Sequence, residues 1–313
     1  MISESSPFSR RRFLESAAAL TAGGFGASAL AVTEPYTRVG QARLRLGLAA
    51  YSFRNYFKTM RGKPNEKVPA EDQIEMTDFI RFCAEHNCGG AELTSYFFDP
   101  DVSDAYLAEC RHLAHVCGIE ISGTAVGNNF SYPKGAPERA EQMTYVKDWI
   151  DKASILGAPH IRVFAGKHPE GVGEDEAEKN ASEALEEAAA YAGSKGIFLG
   201  IENHDSIGTA DRLLRIVKNV KSPWVGVNLD TGNFRAEDPY PDIEATAPYA
   251  VNVQVKVALK YGGETRAADL ERIGKILHDT GYQGYVTLEY EENDNPFESV
   301  PPVLDRMRKF CDC

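Results

Sequence analysis

Four short runs in the second half of the chain alternate apolar and polar residues with a period of two. They are 198–204 (FLGIENH), 225–233 (VGVNLDTGN), 251–257 (VNVQVKV) and 285–291 (YVTLEYE). β-Branched and aromatic residues fill each run, and turn-forming segments separate the runs, which predicts four buried strands. In the third run the valines share one face, and Asn252, Gln254 and Lys256 share the other.

The polar faces of the other three runs carry further oxygen-bearing side chains. They are Glu202 and His204, Asn228 and Asp230, and Thr287, Glu289 and Glu291. A parallel sheet covered by helices is normally apolar on both faces. If the strands close into a cylinder, the apolar faces meet the surrounding helices and the polar faces converge on the axis. The pattern therefore predicts a barrel with a polar interior.

The rest of the chain supplies four more predicted strands and the intervening helices. The strands are predicted over 45–53, 90–95, 120–126 and 160–166, and the helices over 71–86, 101–117, 138–156, 174–195, 209–220, 242–248, 265–280 and 297–311. Eight alternating strands and helices predict an α/β fold, a single-domain (β/α)8 TIM barrel, with active groups at the C-terminal ends of the strands. A doubly wound sheet is the alternative, but it leaves four successive polar rows unexplained.

Near those strand ends, four side chains are predicted to point at one another: Glu202, Asp230, Gln254 and Glu289. Three carboxylates at close range repel unless a cation lies among them, and oxygen ligands suit a hard divalent ion such as Mg²⁺ or Mn²⁺. The alternative for each is an ordinary surface or ion-paired residue. Further inward side chains are predicted to contact a substrate: Tyr51, Glu92, Arg162, Phe164, His204 and Lys256. For Tyr51, Phe164 and His204 the alternative is ordinary packing in the barrel, and for Arg162 it is a core position. For Lys256 an ion pair with Glu291 or Glu92 is the alternative.

The N-terminal residues have the layout of an export signal. Three arginines, Arg10 to Arg12, precede Phe13-Leu14 and an uncharged Ala/Gly-rich stretch that ends at Ala31. This predicts a signal peptide similar to the twin-arginine class, with the twin-arginine export machinery as partner and a periplasmic or otherwise exported location. An uncleaved membrane anchor is the alternative. The predicted divisions are a signal at 1–31, a linker at 32–44 and the barrel at 45–313.

Charge and cysteine content narrow the function further. The formal net charge is −12, which argues against nucleic acid as a partner because a basic footprint is expected there. The six cysteines do not have zinc-site spacing, and the sequence does not pair them. Assembly into a homo-oligomer is left open.

Four motifs resemble those of the xylose isomerase-like barrel superfamily of sugar phosphate isomerases and epimerases. They are Gly200-Ile201-Glu202-Asn203-His204, Leu229-Asp230-Thr231-Gly232-Asn233, Val253-Gln254-Val255-Lys256 and Leu288-Glu289. The resemblance implies that Glu202, Asp230, Gln254 and Glu289 hold one divalent ion, Mn²⁺, Mg²⁺ or Co²⁺, with Zn²⁺ as a further option. It also implies that Glu202 and Glu289 are the catalytic acid/base pair.

The chain departs from the pattern of this superfamily at two positions. Gln254 stands where many relatives have histidine, although the hydroxypyruvate isomerase group is similar in using Gln. Asn233 stands where the epimerases have a substrate-contacting histidine, so the familiar ketose substrates become less certain. Lys260 falls where some epimerases place a substrate-binding arginine.

Together these features predict a metal-dependent isomerase or epimerase acting on a small carbohydrate. Removing a proton beside a carbonyl needs a Lewis acid to stabilise the enediolate and positioned carboxylates to carry the proton. Two alternatives remain: a keto-sugar or keto-inositol lyase or dehydratase on the same site, and a sugar-binding protein without turnover. Multi-zinc nuclease chemistry is disfavoured, because few of the seven histidines fall near strand ends.

Overall fold

Parallel strands form a closed barrel in the computed structural model, which describes residues 33–311. The eight barrel strands are β1 (Arg43–Ala49), β2 (Gly90–Thr94), β3 (Glu120–Ala125), β4 (His160–Val163), β5 (Phe198–Glu202), β6 (Val225–Asp230), β7 (Ala250–Val255) and β8 (Gln283–Leu288). Each pairs with its neighbours in the sequence, and β1 pairs with both β2 and β8 to close the ring. The predicted (β/α)8 barrel is confirmed.

Helices follow the strands around the outside of the barrel. They are α1 (Met76–Glu85), α2 (Asp104–Val116), α3 (Pro137–Leu156), α4 (Glu174–Ser194), α5 (Ala210–Asn219), α6 (Tyr240–Thr246), α7 (Leu270–Asp279) and α8 (Pro296–Met307). Ser103 and Asp269 cap α2 and α7 by accepting hydrogen bonds from the backbone N–H groups three residues on. Gly157 ends α3 in the left-handed conformation (φ 74°) that glycine adopts without strain.

The two faces of the strands divide as the alternation predicts. Outward-facing Val227, Leu229 and Val253 are fully buried under the helices. Inward-facing Asn228 and Asn252 are also fully buried, and they hydrogen-bond to each other across the barrel interior. Each apolar side chain removed from water contributes about 1.5–3 kcal/mol to the free energy of folding. The contacts between the strands and the outer helices therefore stabilise the barrel, while its interior remains polar.

The N-terminal end of the barrel is closed by residues that precede β1. Tyr36 Oη donates to Val225 O at 2.7 Å, and Arg38 Nη2 donates to Ala250 O at 2.5 Å. Both acceptors are the first residues of their strands, so this segment covers the barrel bottom. The predicted signal at 1–31 lies outside the described residues.

Two short antiparallel hairpins were not predicted. Thr59–Met60 pairs with Lys63–Pro64 inside the predicted loop after β1, and Ala258–Tyr261 pairs with Glu264–Ala267. The prediction that a helix begins at 265 was wrong. The left-handed turn at Gly262 and Gly263 (φ 56° and 97°) returns the chain as a strand first.

Within residues 33–311, no helix combines the length and apolarity that a membrane span requires. Four of the cysteines in this part, Cys83, Cys88, Cys110 and Cys117, form no disulfide.

Candidate active site

The predicted ligand residues lie at the C-terminal ends of the last four strands. Glu202 and Asp230 end β5 and β6, Gln254 is next to last in β7, and Glu289 directly follows β8. Asp230 is in register with Gln254, and Gln254 with Thr287, so these side chains occupy neighbouring levels. A cavity of about 270 Å³ opens at this end of the barrel. The sequence-predicted residues are therefore near one cavity.

The cavity is lined by eight of the predicted site residues: Tyr51, Arg162, Phe164, Glu202, His204, Asn233, Lys256 and Glu289. Asp230, Gln254 and Glu92 do not line it, because they lie fully buried beneath it. Lys260 lines a second cavity of about 180 Å³, which also contacts Lys256 and Asn233.

Lys256 lies at the centre of the carboxylates. Its ammonium Nζ is 3.3 Å from Asp230 Oδ2, 2.5 Å from Glu289 Oε2 and 2.8 Å from Glu291 Oε2. Burial alone would lower the pKa of Lys256, but the three carboxylates outweigh it and hold the pKa well above its ordinary value. Lys256 is therefore charged at neutral pH, and it pairs with Glu291 rather than with Glu92.

Glu202 is held by two side chains from the neighbouring elements. Arg162 Nε lies 2.9 Å from Glu202 Oε2, and Asn233 Nδ2 donates to Glu202 Oε1 at 2.8 Å. The Arg162 guanidinium also lies over the ring of Phe164, 3.9 Å from its centroid. Burial raises the pKa of Glu202, and Arg162 only partly offsets this rise. The raised pKa brings both protonation states within reach at neutral pH, which suits a proton carrier.

A network of amides fixes Gln254 from below. Gln254 Nε2 donates to Glu92 Oε1 at 2.6 Å, and Asn228 Nδ2 donates to Gln254 Oε1 at 2.7 Å. Asn252 Nδ2 donates to the other oxygen of Glu92 at 2.8 Å. Glu92 was predicted to contact substrate, but its fully buried side chain instead supports Gln254.

Glu92 and His160 are buried close to each other, and burial shifts the pKa of each side chain in favour of its neutral form. Burial raises the pKa of Glu92 to about 8, with Glu289 adding to the rise. Burial lowers the pKa of His160 to about 4. His160 Nδ1 hydrogen-bonds to Ser122 O at 2.9 Å, while its Nε2 has no hydrogen-bond partner and faces Glu92 Oε2 at 3.9 Å.

The raised pKa of Glu92 predicts a measurable pH dependence of stability. Its pKa rises from 4.5 to about 8 on folding, so its contribution is complete below pH 4.5 and is lost as the pH rises toward 8. Glu92→Gln removes this titration. The free energy of unfolding of the wild type relative to Glu92→Gln is therefore expected to fall by on the order of 3 kcal/mol between pH 5 and 8 in urea titrations.

Glu120→Gln is the control for this pH prediction. Hydrogen bonding to Arg45 lowers the pKa of the Glu120 carboxyl, so its titration lies below the same pH range. The wild type and Glu120→Gln are expected to differ by a constant free energy from pH 5 to 8. An equally constant difference for Glu92→Gln would contradict a buried neutral Glu92.

The donor set fits a hard divalent ion by its chemistry. Across residues 33–311 no three or more His, Cys, Asp or Glu side chains are arranged as a metal-holding group, and Lys256 and Arg162 neutralise the carboxylates. However, Asp230 Oδ2 is buried and makes no hydrogen bond, although Lys256 Nζ lies 3.3 Å from it. Gln254 Oε1 accepts one hydrogen bond, which leaves one lone pair. Three carboxylates and one amide oxygen on adjacent strands are the ligands that Mg²⁺ and Mn²⁺ prefer.

Three residues that line the cavity were absent from the predicted site. Tyr96 follows β2, Glu291 lies three residues after β8, and Arg61 belongs to the hairpin after β1. Glu291 continues the period-two alternation from Glu289, so the sequence contained a signal for it. Arg61 lies in a loop whose residues show no periodicity, and nothing in the pattern selects it from its basic neighbours.

Comparisons with known proteins agree with the barrel fold. A sequence profile described as "Xylose isomerase-like TIM barrel" matches residues 80–310. A 3-oxo-isoapionate decarboxylase from Pectobacterium atrosepticum is 26% identical over 216 residues, 68% of each chain.

Solved structures share the fold at low sequence identity. D-psicose 3-epimerase with D-tagatose from Clostridium cellulolyticum has a TM-score of 0.69 at 17% identity and covers 86% of this chain and 100% of its own. A xylose isomerase-like TIM barrel protein from Mycobacterium smegmatis in complex with magnesium has a TM-score of 0.64 at 18% identity and covers 85% of this chain and 96% of its own. Two further similar structures are an L-ribulose 3-epimerase and the 3-keto-D-glucoside 4-epimerase of E. coli.

Proposed function

Because the chain belongs to the xylose isomerase-like TIM barrel family, we propose that it is a divalent-metal-dependent sugar isomerase or epimerase. The reaction proposed is proton transfer at a carbon next to the carbonyl of a small carbohydrate. The observation that supports it best is that two glutamates, Glu202 and Glu289, line one cavity at the C-terminal end of the barrel. This is the end at which TIM-barrel enzymes carry their active groups.

The two glutamates approach the cavity from different directions. Glu202 ends β5 and Glu289 follows β8, and two strands separate them around the barrel. One carboxylate can therefore remove a proton from a carbon while the other returns a proton from another side, as epimerisation requires. Arg162 and Asn233 hold Glu202 in place, and Lys256 holds Glu289.

The proposed metal ligands are Glu202, Asp230, Gln254 and Glu289. When bound, a divalent ion supplies Lewis acidity that stabilises the negative charge developing on the carbonyl oxygen of the substrate. Glu92 and Asn228 keep the Gln254 side chain in a single orientation. This lowers the conformational entropy that the side chain would lose when it binds a metal ion. Lys256 lines the cavity as a cation, so it can donate a hydrogen bond to the same developing charge.

Tyr51, Phe164 and His204 are proposed to bind the substrate. Tyr51 and Phe164 line the cavity, and the His204 ring packs on Phe164 with centroids 4.6 Å apart. Lys260 lies in the adjacent cavity, where it would reach only an extended substrate.

A lyase is the second candidate, and the decarboxylase relative favours it. Loss of carbon dioxide from a 3-oxo acid leaves an enolate, which needs the same stabilisation of negative charge as proton abstraction does. Lys256 and Arg162 both line the cavity as cations and serve either reaction. Release of carbon dioxide from 3-oxo sugar acids, without hydrogen exchange between neutral ketoses and solvent, would favour a lyase.

The direct test is exchange of substrate hydrogen with solvent deuterium. The purified protein is incubated in deuterium oxide with a panel of ketoses and 3-keto-glycosides, with Mn²⁺ or with a chelator, and the products are followed by NMR. Metal-dependent deuterium incorporation at the carbon beside the carbonyl is expected. Tight sugar binding without exchange under every metal condition would favour a binding protein instead.

We also propose that the chain is exported to the periplasm by the twin-arginine route. The basis is the Arg10-Arg11-Arg12-Phe13-Leu14 sequence. Cell fractionation of the full-length protein tests this. Replacing Arg10 and Arg11 together by lysine is expected to retain the protein in the cytoplasm, and unchanged export would contradict the proposal.

A further inference from the structure

Arg61 occupies a backbone position that disfavours it. The hairpin after β1 turns at Arg61 and Gly62, and both residues are left-handed, with φ values of 52° and 73°. Two-residue turns of this kind favour Asn or Gly at the first position, and a larger side chain there costs on the order of 1 kcal/mol. Turn formation therefore does not explain why arginine stands here.

The turn is fixed against the wall of the cavity. Arg61 N donates to Tyr96 O at 2.6 Å, and the Arg61 guanidinium carbon lies 4.1 Å from the centroid of the Tyr96 ring. Tyr96 also contacts Arg162, whose Nη1 is 3.4 Å from the Tyr96 hydroxyl. Stacking on an aromatic face holds a guanidinium in place while leaving its N–H edge available.

Arg61 differs from the other two cations that line the cavity in having no anionic partner. Arg162 is paired with Glu202, and Lys256 is paired with three carboxylates. Within residues 33–311, the guanidinium of Arg61 has neither an ion-pair partner nor a side-chain hydrogen bond. Arg162 and Lys256 are already outnumbered by the carboxylates that they contact, Glu202, Asp230, Glu289 and Glu291. Among the described residues that line the cavity, Arg61 is therefore the cation whose charge no carboxylate contact offsets.

We propose that Arg61 binds the carboxylate of the substrate, and that the substrate is therefore a sugar acid. This inference rests on the proposed function and names its substrate class. A planar guanidinium binds a carboxylate through two parallel N–H···O hydrogen bonds. A phosphate dianion calls for more positive charge than one guanidinium supplies, because the other two cations are already neutralised.

Binding of matched ligand pairs to the metal-loaded protein tests the proposal. Calorimetric titrations compare D-gluconate with D-glucitol, D-glucuronate with D-glucose, and these with D-glucose 6-phosphate. At least one sugar acid is expected to bind about tenfold or more tightly than its neutral counterpart. Arg61→Gln is expected to abolish this preference, because it weakens binding of the acid far more than binding of the neutral partner.

Two further variants separate ligand binding from folding. Arg61→Gly suits the left-handed backbone, so it is expected to retain the melting temperature while losing the preference for acids. Arg266→Gln is the control. Arg266 also stacks on a tyrosine, Tyr261, from a short hairpin, but it is paired with Glu264 and does not line the cavity. It is expected to keep the preference for acids.

Three results would overturn the assignment of Arg61: no sugar acid binds more tightly than its neutral counterpart, the phosphate binds best, or Arg61→Gln keeps the preference. Metal-dependent deuterium exchange into neutral ketoses alongside any of these results would leave the proposed function intact. The failure of the substrate class is thus distinguishable from the failure of the enzyme assignment.

Discussion

Replacing Glu289 by glutamine is expected to lower the rate of deuterium exchange into the substrate by about 10²- to 10⁴-fold, the usual contribution of a positioned proton carrier. Glutamine keeps the size of the side chain and an oxygen that can accept from Lys256, but it cannot take up a proton from carbon. The loss should fall on kcat rather than on KM, because the missing proton transfer belongs to the transition state. Initial rates measured by NMR at saturating substrate provide the readout.

Glu291→Gln is the matched control for this prediction. Glu291 lies two residues further along, and its carboxylate contacts the same ammonium, Lys256 Nζ at 2.8 Å. The control removes one negative charge from Lys256 as Glu289→Gln does, but no proton transfer is assigned to it. It is expected to reduce the rate far less than Glu289→Gln. Equal losses in the two variants would mean that Glu289 acts only through Lys256.

Replacing Lys256 by methionine is expected to destabilise the metal-free protein by about 3 kcal/mol or more. The reason is that removing one partner of a buried ion pair leaves uncompensated charge, here at Asp230 and Glu289. A divalent ion that binds among these carboxylates would restore the missing positive charge. Mn²⁺ should therefore raise the melting temperature of Lys256→Met more than that of the wild type.

The control for this variant is Lys260→Met, which removes an exposed lysine four residues along the chain. Its melting temperature and its response to Mn²⁺ are expected to match those of the wild type. If Lys256→Met is destabilised and Mn²⁺ does not raise its melting temperature, the carboxylates pair with Lys256 but do not bind a metal ion.

The sequence predicted the barrel well because its signal is periodic. Alternation at Val251 to Val257 assigned one face to the helices and the other to the interior, and closure of eight strands then left few choices. Strand ends were predicted too far along the chain. The strand predicted over 160–166 ends at Val163, because the C-terminal ends of barrel strands open into loops whose residues keep no period.

The candidate site was predicted in part. Periodicity placed Glu202 and Glu289 on inward faces, but it did not show which side chains reach the cavity and which stay beneath it. Glu92 was expected at the substrate, yet its burial and its bonds to Gln254 and Asn252 hold it below. Arg61 was not predicted as a site residue. Its position depends on a turn that packs against Tyr96, and Tyr96 is distant from Arg61 in the sequence.

The central claim is that Glu202, Asp230, Gln254 and Glu289 bind one divalent ion. Its most direct test is calorimetric titration of Mn²⁺ into the metal-stripped protein and into Asp230→Asn, with circular dichroism as the check on folding. Asparagine can keep the hydrogen bond from Gly232 N to Oδ1, which is 2.8 Å long. It replaces Oδ2, which makes no hydrogen bond and lies 3.3 Å from Lys256 Nζ, by an amide nitrogen. One saturable site per wild-type chain, lost in the folded Asp230→Asn variant, is the predicted result. Equal binding by the two proteins, or none by the wild type, would contradict it.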